Sequence, residues 1–463
     1  MAELSVDSTA RDMADAIRQR TISARELLEL HLHRIAERNP QLNAIVSLDE
    51  ARARAAAAAA DEQTASGVPT GALHGLPLAV KDTHAVAGWR TTRGSRLYAD
   101  FVPDRDELIV ERMRAAGAVI IGRTNVPEFA AGSHTFNEIF GTTYNPIDPT
   151  RSAGGSSGGA ACALAAGMVP VADGTDMGGS LRNPASFCGV VGLRPSLGRV
   201  PEWPMLNQWE TTSVGGPMAR NVADVALLLS VQAGPDPRAP QALGDPGRIF
   251  AVPLNGSLAG LRVAFSLDLG GAFAVDHQVA AVVSAAAEVF STSGAVVREA
   301  HPDLSLADRT FRTLRAWHMQ AKFGGLLARH PDSFKPSLAA NIRDGENLTG
   351  ADIALAYANR TQLGEIMREF FKDIDVLVMP VSQVPPFPAD QEFPPEINGE
   401  PILTYLDWLR SAYFITVTGC PAISVPAGTT PDGLPVGIQI IAPHGADLRL
   451  LRVASAFESQ MQR

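Results

Sequence analysis

The chain has 463 residues, of which 46% are hydrophobic and 19% are charged, which is typical of an ordinary globular protein. Its net charge is −10 and it has no cluster of Lys and Arg, which argues against nucleic acid as its main ligand. The sequence shows no signal-peptide pattern and no run of 18 apolar residues. The three cysteines, Cys162, Cys188 and Cys420, lie in apolar surroundings and predict free, buried thiols. We therefore expect a cytoplasmic protein that does not bind membranes.

The N-terminal part of the chain is predicted to be helical. Residues 8–20 and 23–38 have amphipathic patterns, and the alanine-rich residues 50–62 favour a third helix. A short buried strand is predicted at 76–80, immediately before Lys81. Further along, a helix at 107–116, a strand at 119–121 and a helix start at 125–131 complete this part of the chain.

The C-terminal half alternates between predicted strands and helices. Residues 261–266, 275–290 and 295–299 form a strand–helix–strand pattern that is typical of a βαβ unit. The remaining predictions are helices at 221–233, 304–330, 350–372 and 448–461 and strands at 376–379, 423–425 and 436–441. We therefore predict one α/β domain over 1–463, with a large mixed β-sheet covered by helices on both faces and residues 8–62 packed on that core.

Two glycine–serine clusters dominate the middle of the chain. They are GGSSGG at 154–159 and GGS at 178–180, on either side of an apolar run at 160–168. Consecutive glycine N–H groups can form a concave site for an anion or a developing oxyanion. Their serines are therefore candidates for chemistry. A flexible linker is the alternative, which the interleaved apolar residues disfavour.

Several common catalytic motifs are missing from the sequence. It contains no P-loop, no H-E-x-x-H and no paired Cys-x-x-Cys, so we expect no metal and no cofactor. Residues 154–158 match the G-x-S-x-G nucleophile elbow. However, Pro146 and Pro149 stand where that motif needs a central strand, so this interpretation is rejected.

Lys81 is the remaining candidate for the base that a serine nucleophile requires. An ordinary lysine has a pKa near 10.4, so only about one in a thousand is neutral near pH 7.4. A lysine that acts as a base near neutral pH needs its pKa lowered to about 7, and burial without a counter-ion lowers a lysine pKa in this way. On its own sequence context, Lys81 could instead be a surface lysine that pairs with Asp82.

Five segments resemble the amidase signature family in order and spacing. They are LHGLPLAVKD, GRTNVPEFAAGS, FGTTYNP, the stretch from GGSSGG to VVGLRPS, and TGCPAISVP. The signature region covers about 73–200. The resemblance implies a Ser-cisSer-Lys hydrolase with Ser180 as the acyl-accepting nucleophile, Ser156 as the bridging serine and Lys81 as the base. It also implies a cis peptide bond between Gly155 and Ser156.

The second glycine cluster is predicted to stabilise the oxyanion. The backbone N–H groups placed to receive it are those of Met177, Gly178, Gly179 and Ser180. We expect Asp176 and Arg182 to hold this loop through an ion pair, with separate surface charges as the alternative. Ser157 and Thr175 are expected to be supporting donors.

The predicted substrate pocket is built from aromatic residues and from one segment of the family pattern. Phe129, Ala130, Gly132 and Ser133 match a segment that borders the acyl site in the family. The aromatic candidates are Trp203, Trp209, Phe387 and Trp408, with core packing as the alternative for each.

These features predict an amidase that uses water to cleave small to medium aryl or apolar amides, as a monomer or homodimer. Carbamates (urethanes) and esters are near variants because they present a similar carbonyl. One alternative is the glutaminase subunit of a tRNA-dependent amidotransferase, although free glutamine needs charged groups in the pocket. Another is a ligand-binding protein whose glycine loops hold a phosphate.

Overall fold

The computed structural model describes residues 4–462. The strands within this range are β1 Ile45–Leu48, β2 Pro77–Lys81, β3 Val119–Thr124, β4 Phe136–Asn137, β5 Gly141–Thr142, β6 Val171–Asp176, β7 Val191–Arg194, β8 Val214–Ala219, β9 Arg262–Phe265, β10 Val296–Glu299, β11 Val376–Pro380, β12 Glu396–Ile397, β13 Glu400–Pro401, β14 Ala422–Thr429 and β15 Pro435–Ile441.

The α-helices lie before, between and after these strands. They are α1 Ala10–Arg18, α2 Ala24–Leu42, α3 Glu50–Ser66, α4 Leu108–Ala115, α5 Gly158–Ala165, α6 Arg182–Cys188, α7 Val222–Gln232, α8 His277–Thr292, α9 Ala307–Arg329, α10 Pro336–Arg343, α11 Gly350–Phe370, α12 Arg410–Thr416 and α13 Asp447–Met461. Within 4–462, none of these helices has the length and apolar character needed to cross a membrane.

Eight strands form the central sheet in the order β10-β9-β11-β15-β14-β7-β8-β6. The three strands at one end, β10, β9 and β11, are parallel, and the other neighbours are antiparallel. Strand β9, helix α8 and strand β10 form the predicted βαβ unit. The sheet is therefore mixed, as the sequence predicts.

Both faces of the sheet are buried, as β11 illustrates. Val376 and Val378 belong to one hydrophobic cluster, together with residues of α7, α8 and α13. Leu377 and Met379 belong to a second cluster, which includes residues of α9, α11 and α12. Because successive side chains of a strand point to opposite faces, helices cover the sheet on both sides. This confirms the predicted fold class.

A smaller sheet, in the order β1-β3-β2, lies next to the edge strand β6. The backbone N–H of Lys81, at the end of β2, donates a hydrogen bond to the carboxylate of Asp173 in β6 at 3.1 Å. The small sheet therefore places Lys81, the last residue of β2, at the edge of the large sheet.

Two local predictions are wrong. Residues 125–131 do not begin a helix but form only a short 3-10 turn at Glu128–Ala130, because Phe129 and Ala130 have positive φ angles of 49° and 57°. Strands β6, β7 and β8 lie in glycine-rich sequence and were not predicted. Gly174 in β6 shows why glycine is used, since a Cβ there would lie 2.6 Å from the side-chain oxygen of Ser157.

Candidate active site

Lys81 is fully buried and its amine contacts three hydroxyl groups. Its Nζ lies 2.9 Å from Ser156 Oγ, 2.8 Å from Ser157 Oγ and 2.8 Å from Thr175 Oγ1. A neutral amine has two N–H donors and one lone pair. It can therefore donate hydrogen bonds to Ser157 and Thr175 while its lone pair accepts a hydrogen bond from the hydroxyl of Ser156. The geometry satisfies a neutral lysine completely.

The surroundings of Lys81 favour this neutral form. Burial lowers the pKa of its amine to about 7, although the carboxylates of Asp173 and Asp176 act in the opposite direction. The alternative pairing with Asp82 is wrong. The Asp82 carboxylate instead forms an ion pair with Arg123 at 3.3 Å and accepts hydrogen bonds from Thr92.

The first glycine–serine cluster turns sharply before α5. The peptide bond between Gly155 and Ser156 is cis. Two neighbouring side chains hold this turn from outside: the Ser133 hydroxyl donates to the Gly155 carbonyl at 2.6 Å, and the Thr135 hydroxyl donates to the Gly154 carbonyl at 2.8 Å. This arrangement places the side chain of Ser156 beside the amine of Lys81.

The second cluster lies against the first. The backbone N–H of Ser157 donates to the carbonyl of Ser180 at 3.3 Å, although the two residues are in different clusters. Ser156 and Ser180 both line one cavity, which also contains Thr175 in its wall. The structure thus brings together the three residues that the resemblance implies as the catalytic group.

A buried carboxylate organises the loop that carries Ser180. Asp176 pairs with Arg182 at 2.9 Å and with Arg194 at 3.3 Å, and all three side chains are fully buried. Burial raises the pKa of Asp176, but the charges and hydrogen bonds of the two guanidinium groups outweigh burial and hold it below its ordinary value. The expected ion pair is therefore present, and separate surface charges are excluded.

This carboxylate changes the set of oxyanion donors. The backbone N–H of Gly179 donates to Asp176 Oδ1 at 3.0 Å, so it is already used within the protein. In the described part of the chain, the N–H groups of Met177, Gly178 and Ser180 donate to no other protein group. The prediction for Gly179 is corrected, and three candidate donors remain.

The cavity above Ser180 has a volume of about 350 Å³ and an amphipathic lining. Its apolar wall is formed by Phe129, Ala130, Met177, Met205, Leu206, Met319 and Phe323. Its charged or polar wall includes His84, Arg93, Glu107, Glu202, Glu210, Arg315, His318 and Lys322. The pocket is therefore less apolar than the sequence predicts.

Helix α9 supplies one side of this cavity. Its lining residues are Arg315, His318, Met319, Lys322 and Phe323. Their spacings of three and four residues place them on one face of a helix. These residues are absent from the predicted pocket, although their spacing is visible in the sequence of the predicted helix 304–330.

Only two of the eight predicted pocket residues, Phe129 and Ala130, line the cavity. Trp209 is 65% exposed on the surface, and Trp203 lies under the guanidinium of Arg238 at 4.6 Å. Phe387 and Trp408 are buried and pack on each other with their rings 5.3 Å apart. For these four aromatic residues the pocket prediction is wrong, because core or surface packing fixes them elsewhere.

Gly132 and Ser133 also lie outside the cavity lining. Ser133 is buried and, as described above, holds the turn before Ser156; its oxygen also accepts a hydrogen bond from Asn183 at 3.1 Å. Gly132 has a φ of 110° and lies near Lys335, whose Nζ would be 3.3 Å from a Cβ at this position. Ser133 therefore positions the turn before Ser156, and neither residue lines the cavity.

The three cysteines are not activated as nucleophiles. All three thiols are free and buried, and burial raises the pKa of the Cys420 thiol to about 11 and those of the other two further. Over residues 4–462, no group of three or more His, Cys, Asp or Glu side chains is arranged to hold a metal ion.

Comparison with known proteins agrees with this geometry. The model of one protein family, Amidase, matches residues 26–451. The chain belongs to the Amidase family. It is 36% identical over 454 residues to an acylamidase from Rhodococcus erythropolis, covering 97% of this chain and 95% of that protein.

Other relatives of this amidase differ in their described activity. It is 36% identical over 481 residues to a glutamyl-tRNA(Gln) amidotransferase subunit from Synechococcus sp. (strain CC9605), covering 98% of this chain and 97% of that one. The crystal structure of a bacterial aryl acylamidase of the amidase signature family superposes with a TM-score of 0.91 at 31% identity, covering 98% and 96% of the two chains. The chain is thus an amidase-family C–N hydrolase, and a purely ligand-binding role is excluded.

Proposed function

We propose that this amidase works on its own, without a partner chain, and cleaves small to medium amides through an acyl-enzyme on Ser180. The contact that carries this proposal is the one between the buried amine of Lys81 and Ser156 Oγ at 2.9 Å. A lysine with a pKa of about 7 in that position is a base matched to neutral pH.

The reaction begins with two linked proton transfers. Lys81 accepts the proton of Ser156, which accepts the proton of Ser180, and the oxygen of Ser180 attacks the amide carbonyl. The N–H groups of Met177, Gly178 and Ser180 are the donors for the resulting oxyanion. Each donor of this kind contributes a few kcal/mol to transition-state stabilisation.

The same three residues complete the cycle. The proton returns through Ser156 to the leaving nitrogen, because an amide anion is a very poor leaving group. The amine departs and leaves an ester on Ser180. Water then attacks this ester with Lys81 as the base again, which releases the acid and restores the enzyme.

The cavity lining indicates the preferred substrates. Phe129 and Phe323 lie with ring centroids 4.6 Å apart, and both line the cavity above Ser180. This surface suits an aryl or apolar group of the substrate. Carbamates and esters are included in the proposal, since they offer Ser180 a carbonyl and an oxygen or nitrogen to protonate.

The glutaminase subunit of an amidotransferase is the second candidate. The charged wall of the cavity, which includes Glu202, Glu210 and Arg315, favours it because free glutamine carries two charges. The equal identity to an acylamidase and to an amidotransferase subunit does not separate the two functions.

The purified chain alone tests the proposal. Substrates are 4-nitroacetanilide, an aliphatic primary amide, a phenyl carbamate and glutamine, with Ser180→Ala as the control. We expect rapid hydrolysis of the anilide, an acyl adduct on Ser180 by mass spectrometry and neither in the variant. Turnover of glutamine alone, or activity only with added amidotransferase subunits, would establish the second candidate instead.

A further inference from the structure

Arg315 is a buried cation in the wall of the catalytic cavity. Arg315 is only 5% exposed and lies on the face of α9 that lines the cavity. In the described part of the chain, no ion pair involves its guanidinium. A buried charge without a counter-ion costs free energy, so this arrangement requires an explanation.

The other buried arginines show that this is unusual for the molecule. Arg123 pairs with Asp82, Arg182 and Arg194 pair with Asp176, and Arg199 pairs with Asp447. Each of these four guanidinium groups therefore has a carboxylate partner inside the protein. Only Arg315, among the buried arginines in residues 4–462, does not.

The hydrogen bonds of Arg315 leave donors available. Its Nε donates to Asn341 Oδ1 at 3.0 Å and its Nη2 donates to the Tyr405 hydroxyl at 2.7 Å. Its Nη1 contacts only the sulfur of Met177 at 3.0 Å, which is a weak acceptor. A guanidinium has five N–H donors, so at least two have no protein partner and a third has a poor one.

We infer that Arg315 binds a carboxylate, or a similar anionic group, of the substrate. This rests on the proposed function and narrows it to amides that carry an acidic group away from the scissile bond. Arg315 contacts Met177 of the loop that carries Ser180, and all three residues line the same cavity, so the guanidinium faces the space in which the substrate is expected to lie. Asn341 and Tyr405 hold the guanidinium in a fixed orientation, which favours the paired hydrogen bonds that a carboxylate makes.

The charges facing this position are mixed. Lys322 lies two turns further along the same face of α9 and adds to its basic character. His318 lies one turn along, but burial lowers the pKa of its imidazole below the ordinary value, so it adds no charge near neutral pH. Glu202 and Glu210 line the cavity as well; Glu210 Oε1 accepts a hydrogen bond from the N–H of Thr212 at 2.7 Å. An acidic substrate group is therefore expected to contact Arg315 and not the two glutamates, which would repel it.

Matched pairs of substrates test this inference and separate the two possible positions of the carboxylate. On the acyl side, the 4-nitroanilide of succinic acid is compared with 4-nitrobutyranilide. On the amine side, 4-acetamidobenzoate is compared with 4-methylacetanilide. We expect kcat/KM of the unmodified enzyme to favour the acidic member of one pair by about 10- to 100-fold, as for a charge-assisted bidentate contact.

The variants Arg315→Gln and Arg315→Lys locate the effect. The glutamine variant should lose about 10- to 100-fold in kcat/KM for the acidic substrate and less than about threefold for its neutral partner, with the lysine variant in between. Arg309→Gln, on an exposed position of the same helix, is the control and should change neither substrate. Equal losses for both members of a pair would overturn the inference.

The unmodified enzyme gives an independent measurement if these variants fold poorly. Benzoate should inhibit hydrolysis of 4-nitrobutyranilide at least about tenfold more strongly than benzyl alcohol. Equal inhibition, together with no preference for either acidic substrate, would contradict the inference. Hydrolysis of the neutral 4-nitrobutyranilide tests the proposed function itself. If the unmodified enzyme did not hydrolyse this anilide, the result would count against the proposed function and not against the role of Arg315.

Discussion

The catalytic centre and the wall of the substrate cavity are built in different ways. The amine of Lys81 contacts three hydroxyl groups of the protein, and the segments that contribute them are buried strands and glycine-rich turns. The wall contains residues such as Leu206, which is 75% exposed, and Arg315, which has no counter-ion. The Lys81 amine therefore has its partners within the protein, whereas the wall is left incomplete for a ligand.

This difference separates the chemistry from the choice of substrate. The acid–base groups depend on a dry environment that lowers the pKa of Lys81, and such an environment requires dense packing. More than half of the residues that line the cavity lie in α9 and in the segment 202–213, which follow the glycine clusters in sequence. Substrate preference can therefore change there without disturbing the proton path.

Replacing Lys81 by methionine should have the largest effect on activity. Methionine fills a similar volume but cannot accept the proton of Ser156, so kcat/KM for a good amide should fall about 10⁴-fold or more. Hydrolysis rates with and without the substitution measure this. A loss of less than about tenfold would show that the amine of Lys81 is not the catalytic base.

The Lys81→Met variant also tests how the lowered pKa of Lys81 affects the pH dependence of stability. Because the pKa of Lys81 is about 7 in the folded chain and near 10.4 when unfolded, the unfolded state binds one more proton between these values. The free energy of unfolding should therefore rise with pH across this window in the unmodified protein. In Lys81→Met, that contribution to the pH dependence of the thermal midpoint should be missing.

Asp176→Asn should have the largest effect on stability. It leaves Arg182 and Arg194 buried with a neutral partner, which costs about 3–5 kcal/mol of unfolding free energy. Denaturant unfolding measures the loss. Asp104→Asn is the matched control, because its carboxylate is 85% exposed and pairs with Arg105 only at the surface. We expect less than about 0.5 kcal/mol there.

The smallest effects are expected in the cavity wall. Phe323→Ala removes half of the aromatic pair with Phe129, so kcat/KM for an aryl amide should fall about tenfold relative to an aliphatic one. Trp209→Ala, on the exposed surface, should change this ratio by less than about twofold. If Trp209 mattered more than Phe323, the assignment of the wall to α9 would be wrong.

The two regions also differ in how far they could be predicted from sequence. The roles of Lys81, Ser156 and Ser180 are predicted from the resemblance of five segments to the amidase signature family, because local pattern alone leaves Lys81 open as a surface lysine. The strand–helix order likewise predicted the mixed sheet. The use of the Gly179 N–H by Asp176 was missed, because it depends on how one loop closes on itself.

The substrate wall could not be predicted by composition alone. Trp209 and Trp408 are predicted to line the pocket because they are large aromatic residues, yet Trp209 is at the surface and Trp408 is in the core. Arg315 lies 135 positions after Ser180 in the sequence and enters the cavity only because α9 packs over the second face of the sheet. The spacing of residues in the sequence shows which of them share one face of a helix. Tertiary packing decides which part of the protein that face contacts.

The protonation state of Lys81 tests the central claim most directly. The chain has only four lysines, Lys81, Lys322, Lys335 and Lys372, so labelling of lysine side chains with ¹⁵N or ¹³C gives a simple NMR spectrum. The signal that is missing in Lys81→Met assigns this amine. We predict that it titrates near pH 7, with the same midpoint as the acid limb of kcat/KM. Titration above about pH 9, near the ordinary lysine pKa, would contradict a neutral lysine as the base.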